Sequence, residues 1–564
     1  RQSKWEKKMA KLFVLLSTLI HLAFCSNENW TRVEETRVTP TMPFSFKIAL
    51  KPQNVEYLDK LFWQISDPES PLYGRFLNHD QIADLISLPE TEIAKVESYL
   101  LNDPNPMCEV KVNRSLHRDY LHIQTCVGQA QIILPNLHLT IYKHHNTHIL
   151  RSQTLTDQSE NLTLLGVPHH LHAIISAIHQ VTDLPYFSQR TTLPNPQNFW
   201  LKNTKELTIN EIIDFYEIPR GGISDEVLDE QVGQVRQAVI EMDQTAFQGK
   251  ALEEFQEKFH IRKEGISRVV GSGEENFAVS EGDMDVETIT AMAQGVQTWS
   301  FVFDNTASYV DVVETLMKTE GAPKVVSVSW TSNESSLGKS GLQAANIQFM
   351  KLGLSGTSWF NGAGDFGPAI GGNCNFLSAS YPGSSPYVVS VGGSRVETPN
   401  NLETAWFRSG GGFSANNPRP DFQKSFVDNY LKNAKMPPNP KGTRYQTEGR
   451  AYPDVSGFAA LYPTVVIGQP GAVAAGTSAA TPQWAGLITL INIKRFQKGL
   501  GPLGPLTQAL YKLQKGVGTD VTHGRSYAIG YSCGDILPAY EAIEGWDPAT
   551  GLGLPNYDIL LEQL

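Results

Sequence analysis

Between residues 237 and 496 short apolar runs alternate with helical ones, and this alternation restricts the fold more than any other feature. Segments 237–241, 325–330, 359–365 and 388–392 read as strands, several of them leading into glycine-rich turns. Segments 286–293 and 482–496 have helical apolar spacing and lie between or after those strands. Such alternation predicts an α/β domain: a parallel sheet covered by helices, with functional residues at the strand ends.

A chain of 564 residues exceeds one hydrophobic core, so at least two domains are expected. Histidine marks the division, because twelve of the 14 precede residue 180 and only His260 and His523 follow. Segment 183–206, with its Leu-Pro-Asn-Pro-Gln-Asn string, reads as an exposed linker ahead of a second domain over 207–564. In the first part, residues 44–50 alternate like a strand and 91–101 have helical spacing, which predicts a smaller α+β domain over 27–182.

The net charge of −12 argues against a nucleic-acid partner, which needs a basic face. Met9-Ala-Lys followed by an apolar run from Leu12 to Phe24 describes a signal peptide within residues 1–26, too short for a membrane helix. No later run is long and apolar enough to span a bilayer, so a soluble protein outside the cytosol is expected. Cys108, Cys126, Cys374 and Cys533 then remain, an even number that suggests two disulfides with three possible pairings. Sequons at Asn29, Asn113, Asn161 and Asn333 agree with glycosylation.

The strongest chemical signal is Gly476-Thr-Ser-Ala-Ala-Thr-Pro482, running into Trp484-Ala-Gly486. Ser478 lies where a helix begins, and the free N–H groups and positive end of a helix favour a developing oxyanion. A helix N-cap accounts for the serine too. Neither His260 nor His523 sits in a string suited to a catalytic base, which turns attention to carboxylates. Glu281 and Asp285 are four apart and share a helix face with Ile289 and Met292. Neighbouring acids against buried surface can share a proton and leave one able to act as a base in acid. An acidic first turn, Asp283 and Glu287 included, explains the same residues. Asp365 ends a strand in Gly362-Ala-Gly-Asp-Phe-Gly367; protonated, it can donate to an oxyanion, so activity is expected to fall as pH rises. Asp520, Val521, Gly545 and Asp547 offer oxygens suited to Ca²⁺, although plain surface turns fit them too.

Together these strings resemble the sedolisin, or serine-carboxyl peptidase, family along nearly the whole chain. Asp67-Pro-Glu-Ser-Pro-Leu-Tyr-Gly74 is similar to its prodomain signature; segments 384–393, 406–423, 449–454 and the Ser478 string are similar to its catalytic domain. The resemblance implies a subtilisin-like α/β domain behind a removable prodomain that inhibits it until acid triggers cleavage in or near the linker. It further implies Ser478 as nucleophile, Glu281 as general base, Asp285 as its partner and Asp365 as oxyanion acid. Glu241 and Trp330 match positions that extend the proton network in some members. Asp520, Val521, Ile543, Gly545 and Asp547 match the ligands of one structural Ca²⁺, and Cys374–Cys533 and Cys108–Cys126 are the implied disulfides. Phe366 departs from the usual serine after the oxyanion acid, and Ile543 from a glycine. The activity implied is acid hydrolysis of peptides or proteins, releasing tripeptides from free N-termini or cutting internally, in a lysosome or similar acidic compartment or after secretion. A secreted binding protein that has lost catalysis and a histidine-dependent hydrolase are the rival readings.

Overall fold

Strand and helix follow the apolar pattern closely in the computed structural model, which describes residues 30–33, 36–144, 147–152, 162–181, 203–222, 235–242, 245–271, 280–368, 379–437, 445–467, 473–529 and 536–564. The signal segment, Asn29, Asn161, the linker up to residue 202 and the Cys374–Cys533 pairing lie outside the described residues. Contacts divide the chain into two units, one of residues 1–50, 90–113 and 121–184 and the other of 51–89, 114–120 and 185–564.

The first unit is α+β. Strand Pro43–Leu50 is the inner partner of Tyr120–Cys126 and Ile175–His179 in a four-stranded sheet, and helices Glu90–Leu101 and Val127–Ile133 belong to the same unit. Ile93, Val96 and Leu100 are buried at helical spacing on one face of their helix. Cys108 and Cys126 form a disulfide with Cα atoms 5.9 Å apart. Of the described sequons, Asn113 is exposed, whereas Asn333 is buried and its Oδ1 accepts from the Ser335 N–H at 3.0 Å and the Ser335 hydroxyl at 2.9 Å.

The second unit is built on an eight-stranded sheet. Its strands are β1 (Arg236–Glu241), β2 (Arg268–Gly271), β3 (Gln297–Val302), β4 (Val325–Val328), β5 (Ser358–Gly362), β6 (Val389–Glu397), β7 (Leu402–Ala405) and β8 (Val455–Phe458). They run in the order β7-β6-β5-β4-β1-β3-β2, with β8 also paired to β6. All pairs are parallel except β6–β7. Successive side chains on a strand face opposite ways, so Val239, Val325 and Phe360 enter one core cluster while Ala238, Ile240, Val326 and Val328 enter another. Burial on both faces explains why these strands are mostly apolar instead of alternating, with polar residues such as Ser327 and Asn361 buried among them.

Helices α1 (Ser280–Met292) and α3 (Thr477–Gln497) supply the first cluster, and α2 (Gly338–Leu354) supplies the second. Trp484 in α3 is fully buried, and its Nε1–H donates to the Ser456 carbonyl at 2.8 Å. A Cβ at Gly486 would stand 2.6 Å from Met292 Cβ and 3.1 Å from the Ile289 carbonyl. Glycine there lets α3 lie against α1 closely enough to bring their N-terminal residues to one site.

Candidate active site

Ser478 occupies the first turn of α3 and is 4% exposed. The positive end of the helix dipole lies at that turn, where the Ala479 N–H is taken up by the Gly476 carbonyl at 3.0 Å. Pro482 lies inside the helix and has no N–H to return to the carbonyl four residues earlier, which belongs to Ser478.

The acids of α1 are buried rather than solvated: Glu281 is 4% exposed, Asp283 1%, and Asp285 and Glu287 0%. Asp285 Oδ2 accepts a 2.5 Å hydrogen bond from the Ser329 hydroxyl, and Ser329 Oγ lies 3.4 Å from the Ser478 carbonyl oxygen. One hydroxyl at the carboxyl end of β4 thus links the Asp285 carboxylate to the main chain of Ser478. Asp283 Oδ1 accepts from the Gln248 N–H at 2.6 Å, and burial pushes its carboxyl up to about 6. Burial likewise holds Glu287 well above the usual range, although the Thr464 hydroxyl at 2.8 Å and the Val465 N–H at 3.1 Å both donate to it. A solvated acidic first turn therefore does not describe this helix. Glu241, at the end of β1, accepts from Trp330 Nε1–H at 3.3 Å.

Asp365 follows β5 in the turn that closes over the start of α3. Its Oδ1 accepts from the Thr477 N–H at 2.8 Å and from the Thr477 hydroxyl at 3.0 Å. The Gly364 N–H donates to Thr477 Oγ1 at 3.1 Å, which directs the hydroxyl proton toward Asp365. Both bonds fall on one carboxyl oxygen, so a proton on Asp365 belongs on Oδ2. Arg408 Nε–H donates to the Asp365 carbonyl at 2.8 Å, and its guanidinium stacks 5.6 Å from the Phe366 ring centroid. Phe366 is thus a buried platform for an arginine that fixes the Asp365 backbone. Sequence reasoning missed Ser329, Thr477 and Arg408; Thr477 adjoins the serine, but nothing local marks the other two.

The two late histidines lie elsewhere. His260 ends helix Gly249–Phe259 in a left-handed conformation with φ 55°, and exposed His523 is 3.0 Å from the Thr522 hydroxyl. The proposed cation ligands do come together. Asp520 Oδ2 accepts from the Gly545 N–H at 2.7 Å and Asp547 Oδ2 from the Ile543 N–H at 3.2 Å. The Thr550 hydroxyl spans Asp547 and the Val521 carbonyl. Asp547 is fully buried, and desolvation pushes its carboxyl up to about 8. The Ala549 and Thr550 N–H groups also donate to its Oδ1, both at 2.9 Å, and a divalent cation fits beside a carboxylate held in this way. Among the described residues no three His, Cys, Asp or Glu side chains form a metal cluster, so a cation here needs backbone oxygens.

The pro-kumamolisin activation-domain family matches residues 28–184. Rat tripeptidyl-peptidase 1 is 30% identical over 553 residues, which is 94% of this chain and 92% of that protein. The chain belongs to the sedolisin family. Human tripeptidyl-peptidase 1 is 29% identical over 551 residues, with the same coverage. A Pseudomonas sedolisin described as a serine-carboxyl proteinase aligns with TM-score 0.49 and 22% identity over 64% of this chain and 98% of that one.

As a sedolisin the protein is a serine-type peptidase made as a zymogen, and its activation segment enters the second unit directly. Helix Val55–Ser66 buries Leu58, Leu61, Phe62 and Ile65 in the cluster that holds α2. Gly353 on α2 makes room, since a Cβ there would be 2.4 Å from the Phe62 ring. Asp59 accepts from the Tyr387 hydroxyl at 2.7 Å. Lys512 pairs with Asp67 at 2.7 Å and Glu69 at 2.8 Å, and buried Lys351 pairs with buried Asp119 at 2.7 Å. No helix among the described residues is long and apolar enough to cross a membrane.

Proposed function

We propose that this sedolisin is acid-activated and releases tripeptides from the free N-termini of polypeptides, acting in the lysosome or another acidic compartment. Ser478 is the nucleophile, Glu281 its general base, Asp285 the carboxylate that shares the base's proton, and Asp365 the oxyanion acid. One observation carries the reading: Thr477, next to Ser478, engages a single oxygen of Asp365, while Ser329 ties Asp285 to the Ser478 main chain.

In the first step Ser478 Oγ attacks the scissile carbonyl and its proton passes to Glu281. The tetrahedral oxyanion receives a hydrogen bond from the proton on Asp365 Oδ2, with Oδ1 occupied by Thr477. Glu281 then gives its proton to the leaving amine, and an acyl-enzyme remains. Water deprotonated by Glu281 attacks the ester; collapse returns a proton to Ser478 and frees the acid product. Burial of Glu281 and Asp285 favours one shared proton over two negative charges. Release of tripeptides rests on the full-length likeness to proteins named tripeptidyl-peptidase 1.

Asp520 and Asp547, with the carbonyls of Val521, Ile543 and Gly545, are the residues that would hold one Ca²⁺. The ion would supply charge neutralisation and cross-link segment 518–524 to 541–551. The activation segment keeps the precursor inactive, and acid loosens it before cleavage in the linker.

The test is to incubate purified precursor at about pH 4, below the ordinary imidazole range, with an unblocked peptide. Wild type is expected to release fragments with tripeptide masses and Ser478→Ala none. No turnover by wild type, or equal turnover by the variant, overturns the catalytic reading. Internal fragments alone replace the exopeptidase reading with an endopeptidase one.

A further inference from the structure

Ser329 has a single hydroxyl proton and two acceptors. Its Oγ lies 2.5 Å from Asp285 Oδ2 and 3.4 Å from the Ser478 carbonyl oxygen. The short contact takes the proton while Asp285 is ionised, because a hydrogen bond to a charged oxygen is the stronger one. The second acceptor exists because of Pro482: any other residue would direct its N–H to the Ser478 carbonyl in the helical pattern. A buried carbonyl deprived of that donor seeks another.

We infer that Ser329 is a positioning residue that couples the protonation of Asp285 to the main chain of the nucleophile. When Asp285 is ionised, Ser329 O–H donates to it and stabilises the charge. When the shared proton moves onto Asp285, Asp285 O–H donates to Ser329 Oγ, and Ser329 O–H turns to the Ser478 carbonyl. No proton is gained or lost in this exchange; the hydroxyl reverses its direction. The nucleophile's backbone is therefore held more firmly in one protonation state of the pair than in the other. Glu281 stands one turn back from Asp285 on α1, and Asp285 lies within electrostatic reach of the buried Tyr462 hydroxyl, which burial holds above its ordinary value and keeps neutral. This inference rests on the proposed roles of Ser478, Glu281 and Asp285.

The experiment measures kcat, KM and the pH profile for wild type, Ser329→Ala, Ser329→Thr, Pro482→Ala and Ser478→Ala after activation of the full precursor. Loss of a donor to ionised Asp285 raises its proton affinity, so Ser329→Ala moves the acid limb of kcat/KM upward by about one pH unit. The kcat at about pH 4 falls roughly tenfold, with KM within about twofold. Ser329→Thr, which keeps the hydroxyl, restores the wild-type limb. Pro482→Ala returns an N–H to the Ser478 carbonyl, confines the Ser329 proton to Asp285 and moves the limb slightly to lower pH. A wild-type acid limb in Ser329→Ala, or a fall in kcat with no shift, overturns the coupling. So does a shift of the same sign in Ser329→Ala and Pro482→Ala. Full activity in Ser478→Ala overturns the proposed roles themselves, whereas an inactive Ser478→Ala with an unshifted Ser329→Ala removes only the coupling.

Discussion

Asp283→Asn separates two physical accounts of the acid-rich helix α1. The Asp283 carboxyl is 1% exposed, and its Oδ1 already accepts from the Gln248 N–H, which asparagine preserves. Each pH unit between folded and unfolded titration is worth about 1.4 kcal/mol. A carboxyl raised from 3.8 to about 6 therefore carries a penalty of about 3 kcal/mol once ionised. The sign follows from proton binding. The folded state holds its proton more tightly than the unfolded state, so stability is complete below the unfolded value and is lost as pH rises through about 6. Asparagine cannot ionise and escapes the loss. In urea unfolding, the variant should match wild type to within about 1 kcal/mol at about pH 4, where both are neutral. At about pH 7.5 it should be more stable by about 3 kcal/mol. A difference that does not vary with pH refutes the reasoning. So does a less stable variant at neutral pH, the result expected if ionised Asp283 were a favourable charge at the helix start.

Three further outcomes follow from the packing. Gly486→Ala forces α3 away from Met292 on α1; overpacking of this kind should cost about 1–3 kcal/mol in urea unfolding, with kcat falling as the site opens. Lys351→Met leaves buried Asp119 without its cation, a loss of about 3–5 kcal/mol for the folded precursor, and gel assays should show processing beginning at higher pH than in wild type. Calcium should raise the melting temperature of wild type, and a chelator should lower it, with neither effect in Asp547→Ala; an indifferent wild type counts against the cation site.

The sheet could be read in the sequence because its central strands are buried on both faces, so Val325, Val326 and Val328 are apolar with only the small Ser327 between them. Other boundaries depend on distant partners. Strand β6 continues to Glu397 because β7 pairs with it, which an apolar run ending near residue 392 does not foretell. Apolar spacing marks α3 only from residue 482, yet the helix begins at Thr477, beside the serine read as lying at a helix start, and holds Pro482 in its interior. Asp365 and Thr477 are 112 residues apart, and Ser329 is 44 residues from Asp285 and 149 from Ser478, so topology alone brings them together. The composition change near residue 183 likewise hides how residues 51–89 and 114–120 pack with the peptidase sheet.

The claim that a serine works here with carboxylates and without histidine is tested most directly by trapping the acyl-enzyme. Activated enzyme is mixed with an ester or peptide substrate at about pH 4, where ordinary imidazoles are protonated, quenched rapidly and mapped by mass spectrometry. The acyl group is expected on the peptide that contains Ser478 in wild type and in His260→Ala/His523→Ala, with its formation nearly abolished in Glu281→Gln. An adduct on another residue, or its loss in the histidine double variant with Glu281→Gln unaffected, contradicts the mechanism.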